Sequence, residues 1–263
     1  MRIKKSLGQH FLKDQHLSTQ IVSLLTQESI SRTVLEIGPG KGSLTDGLVQ
    51  RCIPNLYLVE IDGELIPYLK NRYPTLGNRI LEADFLTLPL AERFSGTQLT
   101  IIGNFPYNIS SQIYFKILDH RDSVDEVIGM VQKEVAERFC AQPGGKTYGI
   151  TSVLLQAFYT VEYCFTVPPH VFLPPPKVES AVVSMRRNGV QKLPCNERLF
   201  FKLVRAGFQQ RRKKLRNALH AFLQPDNPCP HLLERRAETL TVAEFIVLTN
   251  ALEQRSSSFT EAS

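Results

Sequence analysis

The sequence has no apolar run of membrane-spanning length. Stretches such as Val153–Leu155 and Leu99–Ile102 fall far short of the roughly 18 residues a span requires. The opening Met1-Arg-Ile-Lys-Lys-Ser6 is basic, but Leu7-Gly-Gln-His10 offers no apolar signal core. Cysteine is sparse. The five, at 52, 140, 164, 195 and 229, are odd in number and lack CxxC or Cys/His ligand spacing. Disulfides and structural zinc are therefore not expected, and the thiols read as small hydrophobes in a reducing compartment. Internal repeats and low-complexity tracts are also lacking. With 43% hydrophobic and 21% charged residues, the composition is that of an ordinary globular chain, expected to be soluble and cytoplasmic.

Acidic residues are nearly missing from one stretch. Arg186–Leu223 holds eleven Lys/Arg against a single acid, Glu197, so a net +10 hides inside an overall charge of +6. The remaining 225 residues sum to −4, although Met1–Lys13 adds four basic groups and no acid. Two basic blocks on an otherwise acidic body imply a polyanionic partner, either nucleic acid or an anionic membrane surface.

What is present is an alternation. Gln15–Glu28 has apolar residues at 17, 21, 24 and 25, which is helical spacing. Strands are expected at Thr33–Ile37, Leu56–Ile61, Arg79–Glu82, Leu99–Gly103, Val124–Val131, Tyr159–Phe165 and Ser180–Arg186, the last two read as an antiparallel pair. Helices are expected between them at Ser43–Cys52, Asp62–Arg72, Ser110–Leu118, Gln132–Cys140 and Thr147–Ala157. Such alternation implies right-handed βαβ units and an open, mostly parallel sheet, with ligands in the crevice beyond the carboxyl ends of the strands. After Arg187 the pattern becomes helical only, at Glu197–Ala206, Arg211–Phe222, His231–Arg236 and Val242–Glu253, before a frayed tail from Arg255 to Ser263. Two domains with a boundary near 187–195 follow.

The first strand runs into Glu36-Ile-Gly38-Pro-Gly40-Lys-Gly42. Glycines there let backbone approach a ligand and put the N–H groups of the next helix beside it. Glu60 ends the second strand and Asp84 follows the third, so carboxylates stand at successive strand ends. The dinucleotide fingerprint G-x-G-x-x-G would need glycine at 43, where Ser43 stands. A carboxylate at 36 would also repel a pyrophosphate. A cationic nucleoside such as S-adenosylmethionine fits these charges, with Glu60 on the ribose hydroxyls and Asp84 on an adenine amino group. Gly144-Gly-Lys-Thr147 imitates a phosphate-binding loop, but Cys140 occupies the place of its first glycine and a helix precedes it.

The fourth strand ends in Gly103-Asn104-Phe-Pro106-Tyr107-Asn-Ile-Ser110, beside the glycine turn, where a methyl acceptor must lie. An exocyclic adenine amine is a poor nucleophile because its lone pair is delocalised. The Asn104 side-chain oxygen and the Pro106 carbonyl would accept its two N–H groups and draw the nitrogen towards tetrahedral geometry. Tyr107 offers a face for the base. Methyl transfer would be an in-line displacement driven by positioning and electrostatics, and no metal is expected.

Six ordered stretches now carry a resemblance: Lys5–Leu12, Glu36–Gly40, Gly103–Ser110, Gln132–Val135, Phe172–Ser180 and Gln210–Asn217. Together they resemble the ribosomal RNA adenine N6-dimethyltransferases, specifically those of the small subunit, over about residues 4 to 250. The resemblance implies a Rossmann-like class I methyltransferase with a mostly parallel seven-stranded sheet and a small all-helical C-terminal domain. It implies S-adenosylmethionine as donor and, as substrate, two adjacent adenosines in a hairpin near the 3′ end of 16S rRNA in a small-subunit precursor. Carried over by motif, cofactor contacts fall on His10, Leu12, Gly38, Glu60, Asp84 and Asn104, joining Glu36 and Gly40 from the turn. The family commonly has asparagine where His10 stands, and leucine where Phe105 stands.

Phe172, ahead of Pro174-Pro-Pro176, is expected to sandwich the flipped base against Tyr107. Arg205, Arg211, Arg212, Lys213, Lys214 and Arg216 are expected to bind RNA phosphates, with apolar residues at 208, 215, 219 and 222 docking the opposite face. The expected organisation is a methyltransferase domain over 1–187, with a basic arm and helix at 1–29, and a helical RNA-binding domain over 188–263. A monomer with no membrane partner is expected. Two other readings share these motifs: a large-subunit rRNA adenine methyltransferase of the macrolide-resistance type, and a non-catalytic RNA-binding assembly or transcription factor. Leu7-Gly-Gln and the long C-terminal match favour the small-subunit enzyme, and the intact Glu60, Asp84 and Asn104–Tyr107 argue against lost catalysis.

Overall fold

Nine strands and twelve α-helices are present in the computed structural model, which describes residue 4, residues 7–223 and residues 229–257. The strands are β1 (Phe11–Leu12), β2 (Thr33–Ile37), β3 (Asn55–Glu60), β4 (Ile80–Glu82), β5 (Leu99–Asn104), β6 (Val124–Gln132), β7 (Tyr159–Val167), β8 (Phe172–Leu173) and β9 (Ser180–Arg187). The first eight helices are α1 (Gln15–Ser23), α2 (Gln27–Ser31), α3 (Ser43–Gln50), α4 (Ile66–Arg72), α5 (Leu90–Arg93), α6 (Ser110–Asp119), α7 (Lys133–Cys140) and α8 (Ile150–Gln156). The last four are α9 (Glu197–Gln209), α10 (Leu215–Ala218), α11 (Pro230–Leu233) and α12 (Val242–Ser257). Arg2 and Lys5 of the basic arm and the last six residues lie outside the described residues.

Seven strands form one sheet in the order β4-β3-β2-β5-β6-β9-β7. The pairs β3–β4, β2–β3, β2–β5 and β5–β6 are parallel, and β9 runs antiparallel to β6 from Glu126↔Arg186 to Gln132↔Ser180. All five residues of β2 and the first five of β5 are buried, as expected of strands covered on both faces. The chain leaves β2 towards β3 and β4, then returns to β5 on the other side of β2. That reversal is a topological switch point, where open sheets of this kind bind ligands.

The smaller pair, β1 with β8, is antiparallel, matching Phe11 to Leu173 and Leu12 to Phe172. Two residues per strand carry no periodic signal, and neither strand is expected from the sequence.

By contacts the chain divides into one unit of Met1–Ala136 and Val161–Arg187 and another of Glu137–Thr160 and Asn188–Ser263. The second unit therefore takes in a segment that the boundary at 187 assigns to the first. The Gly144–Thr147 decoy lies there, and the Gly144 N–H donates to the Glu238 carbonyl at 2.7 Å. The single helix expected over Arg211–Phe222 is broken. The Leu215 N–H donates to the Arg235 carbonyl at 2.8 Å, and the backbone at Lys214 is extended, leaving only α10 and a 3-10 turn at His220–Phe222. Conversely, α12 continues through Arg255 to Ser257, where the sequence suggests a frayed tail.

Candidate active site

The turn between β2 and α3 forms the floor of a cleft in the first unit. Gly38 has φ +64° and a Cβ there would meet nothing within 4 Å, so the missing side chain leaves the cleft open. At Gly40, with φ +57°, a Cβ would lie 2.9 Å from the Phe11 ring, which roofs the turn from β1. The cleft encloses about 900 Å³ of empty space, its mouth included. His10, Leu12, Glu36, Gly38, Gly40, Glu60, Asp84, Asn104 and Pro106 all line it. Strand ends from β2, β3 and β5, the segment after β4, and β1 with the residue before it thus bring every expected cofactor residue to one place.

The three carboxyl groups are held differently. Glu60 is buried, and its two oxygens accept the N–H groups of Gly40 at 3.1 Å and Asp62 at 2.9 Å. Burial raises its pKa, and those two N–H bonds work against the rise by favouring the charged form. Asp84 is half-buried and accepts the Leu86 N–H at 2.8 Å through Oδ1. The loop behind it is tied by Lys116, whose ammonium donates to the carbonyls of Phe85 at 2.6 Å and Leu86 at 3.0 Å. Burial lowers the pKa of Lys116, opposed by the charge of Asp84. Sequence reasoning missed Lys116, since a lysine whose partners are backbone carbonyls has no motif.

Glu36 is 1% exposed and accepts the Thr45 hydroxyl at 2.7 Å. Burial pushes its pKa up to about 8, with the Thr45 bond opposing and the charge of Glu60 assisting. At neutral pH it is mainly an acid, where the sequence suggests a carboxylate. The folded chain retains a proton that the unfolded chain releases near pH 4.5, so this stabilisation is complete below that pH and is lost as pH rises through about 8. Glu60 shifts the same way. Glu36→Gln is expected to flatten most of the decline in unfolding free energy between pH 5 and 8, measured by denaturant titration; an unchanged slope would show that Glu36 is ionised in the fold.

Beyond β5, the Phe105 N–H donates to the Met130 carbonyl at 3.0 Å and anchors the turn. The Asn104 amide donates through Nδ2 to the His10 carbonyl at 2.7 Å, which leaves Oδ1 as its acceptor. The Pro106 carbonyl accepts the Ile109 N–H at 3.2 Å and keeps its second lone pair. Tyr107 is fixed through its hydroxyl to Ser180, and the His10 ring stacks on it at 5.4 Å with 24° between planes. Tyr107 is not part of the cleft lining. One of its faces is thus taken by His10, which the sequence did not anticipate.

Phe172 is not a stacking platform in this structure. Its ring is 1% exposed and belongs to the apolar core with Leu12, Val171 and Val182, because β8 is clamped inward by its pairing with β1. An aromatic before a proline run gives the same sequence signal in either role. Phe172→Ala is therefore expected to destabilise the protein by about 3–5 kcal/mol in denaturant unfolding. Unchanged stability with lost activity on RNA would restore the stacking role.

Comparison with known proteins bears on the whole chain. The family model for ribosomal RNA adenine dimethylase matches residues 1–253. This chain belongs to that family. A Cytophaga hutchinsonii relative named ribosomal RNA small subunit methyltransferase A is 53% identical over 256 residues, covering 96% of this chain and 98% of the relative. The crystal structure of a dimethyladenosine transferase from Plasmodium falciparum superposes with a TM-score of 0.78 at 25% identity, covering 94% of this chain and 98% of that one. That of the 23S rRNA methyltransferase ErmE gives 0.73 at 23% identity, over 93% of this chain and all of that one, and shares the fold.

In the helical unit of this family member, the basic block is less bare than its own sequence window indicates. Arg211 pairs with Glu238 at 2.8 Å, and Lys214 and Arg216 pair with Glu234 at 2.8 and 2.6 Å. Both acids lie outside Arg186–Leu223 and reach the cations only through the fold. Among the described residues, Arg212 and Lys213 have no ion-pair partner, and both are exposed, as is Arg205 on α9. Leu215 and Leu219 are buried, while Phe208 and Phe222 are half-buried, so the apolar face does dock.

Proposed function

We propose that this chain transfers methyl groups from S-adenosylmethionine to the N6 amines of two adjacent adenosines, in a hairpin near the 3′ end of 16S rRNA in a small-subunit precursor. It acts as a monomer in the cytoplasm, without a membrane partner. The observation that carries the reading is the convergence of Glu60, Asp84 and Asn104 on one cleft at the switch point of the sheet. Family membership supports it, and the name of the 53% identical relative favours the small subunit over the large.

The cleft suits the donor. Each Glu60 oxygen has a lone pair beyond its backbone bond, enough for two ribose hydroxyls, and Asp84 Oδ2 suits an amino group. The buried Glu36 borders the place of a cationic tail. When bound, S-adenosylmethionine supplies an electrophilic methyl on a sulfonium. The protein's own part is to aim the acceptor. Asn104 Oδ1 and the free lone pair of Pro106 accept the amine's two N–H bonds, withdrawing the lone pair from the ring and pointing it into the cleft. His10 to Leu12 border the same cleft from the N-terminal side.

RNA phosphates would add to Arg212 and Lys213 and exchange for the exposed acid partners of Lys214 and Arg216, since surface pairs contribute only about 0–1 kcal/mol. Affinity for small-subunit RNA is expected to fall steeply with salt, with log–log slope near −0.7 to −0.9 per phosphate contact. A flat dependence in a filter-binding series would remove the basic block from the interface. The activity is tested with labelled donor on undermethylated small subunits and on naked large-subunit RNA. Label in the former alone is expected; label in the latter alone would favour the large-subunit reading, and none in either the non-catalytic one.

A further inference from the structure

The amide of Asn104 carries a donor at one end and an acceptor at the other, and only the acceptor can help the amine. What decides which end faces the substrate lies 94 residues away, in the His10 backbone carbonyl, which receives Nδ2 at 2.7 Å. A carbonyl is an acceptor only, so flipping the amide would set oxygen against oxygen. The orientation is therefore as firm as the placement of that carbonyl.

His10 is itself held three ways. Its Nδ1 lies 2.8 Å from the Pro174 carbonyl, which requires the proton on Nδ1, and its ring lies on Tyr107. The residues after it enter the β1–β8 pair, where the Lys13 N–H also donates to the Val171 carbonyl at 3.0 Å. Ser180 holds Tyr107 from the other end. A ring clamp, a side-chain bond and a strand pair thus converge on one carbonyl.

We propose that His10 is a positioning residue for methyl transfer: by clamping Tyr107 and the Pro174 carbonyl, it fixes its own carbonyl against Asn104 and so presents Asn104 Oδ1 to the acceptor amine. This rests on the role given to Asn104 above, and extends His10 from the donor side of the cleft to the acceptor side.

The test is a cycle of His10→Ala and Asn104→Ala, read by single-turnover transfer to undermethylated small subunits at saturating donor and by calorimetric donor binding. His10→Ala is expected to slow transfer at saturating donor about tenfold to a hundredfold, beyond whatever donor affinity it loses. In the Asn104→Ala background the further loss should be under about twofold, because the carbonyl then has no amide to hold. His10→Asn, whose Nδ2 takes the place of the imidazole Nδ1, is expected to recover much of the rate. A wild-type rate in His10→Ala, a loss confined to donor affinity, or full additivity with Asn104→Ala would each overturn the proposal. Should His10→Ala fail to fold, the same cycle with His10→Phe keeps the ring on Tyr107 while removing the donor, and the same outcomes decide. If the wild-type protein does not methylate small subunits, the reading of the site fails first; if it does and the cycle is additive, only this inference fails.

Discussion

Replacing Asn104 with alanine is expected to lower methyl transfer at saturating donor by about 10²–10³-fold, with a much smaller change in donor affinity. The magnitude follows from what the side chain does. Of the two acceptors at the turn, the Pro106 carbonyl already shares its density with the Ile109 N–H at 3.2 Å, whereas Asn104 Oδ1 is left unshared by the bond of Nδ2 to His10. In the proposed role, removing Asn104 would take away the better acceptor and leave the amine planar and misdirected. The fold should tolerate the change, because the turn is anchored by the Phe105 backbone bond to Met130. Single-turnover kinetics with calorimetric donor binding separate the two effects. A rate within about twofold of wild type would remove Asn104 from the chemistry.

The second large effect is expected at Glu60. Its carboxylate is buried and accepts the N–H groups of Gly40 and Asp62, and the proposed role adds the hydroxyls of the donor. Glu60→Ala strips those two N–H groups of their partner at about 1–3 kcal/mol each and deletes the hydroxyl acceptor at the same stroke. Donor affinity should fall by at least about 10³-fold, with a lower melting temperature in the ligand-free protein. Glu60→Gln, which retains one oxygen, should lie between. An alanine variant that binds donor normally would mean that the cleft holds its ligand elsewhere.

These contrasts mark what the sequence made legible. The seven sheet strands lie within two residues of their expected ends; the central ones, buried on both faces, read as nearly unbroken apolar runs. Glu60 and Asp84 were legible because each closes or follows such a run. β1 and β8 were not, since two residues have no period, and with them went the reason Phe172 points inward. Lys116 bonds backbone carbonyls and His10 holds Asn104 with its own, and no residue pattern records partners of that kind. The bareness of the basic block was an artefact of a contiguous window, as Glu234 and Glu238 meet it only in three dimensions.

The most direct test of the central claim is nucleoside mass spectrometry of RNA from undermethylated small subunits, incubated with S-adenosylmethionine and either the wild-type chain or Asn104→Ala. N6,N6-dimethyladenosine, confined to two neighbouring positions near the 3′ end, is expected with wild type and almost none with the variant. Methylation at another atom or base, or equal dimethyladenosine from both proteins, would contradict it.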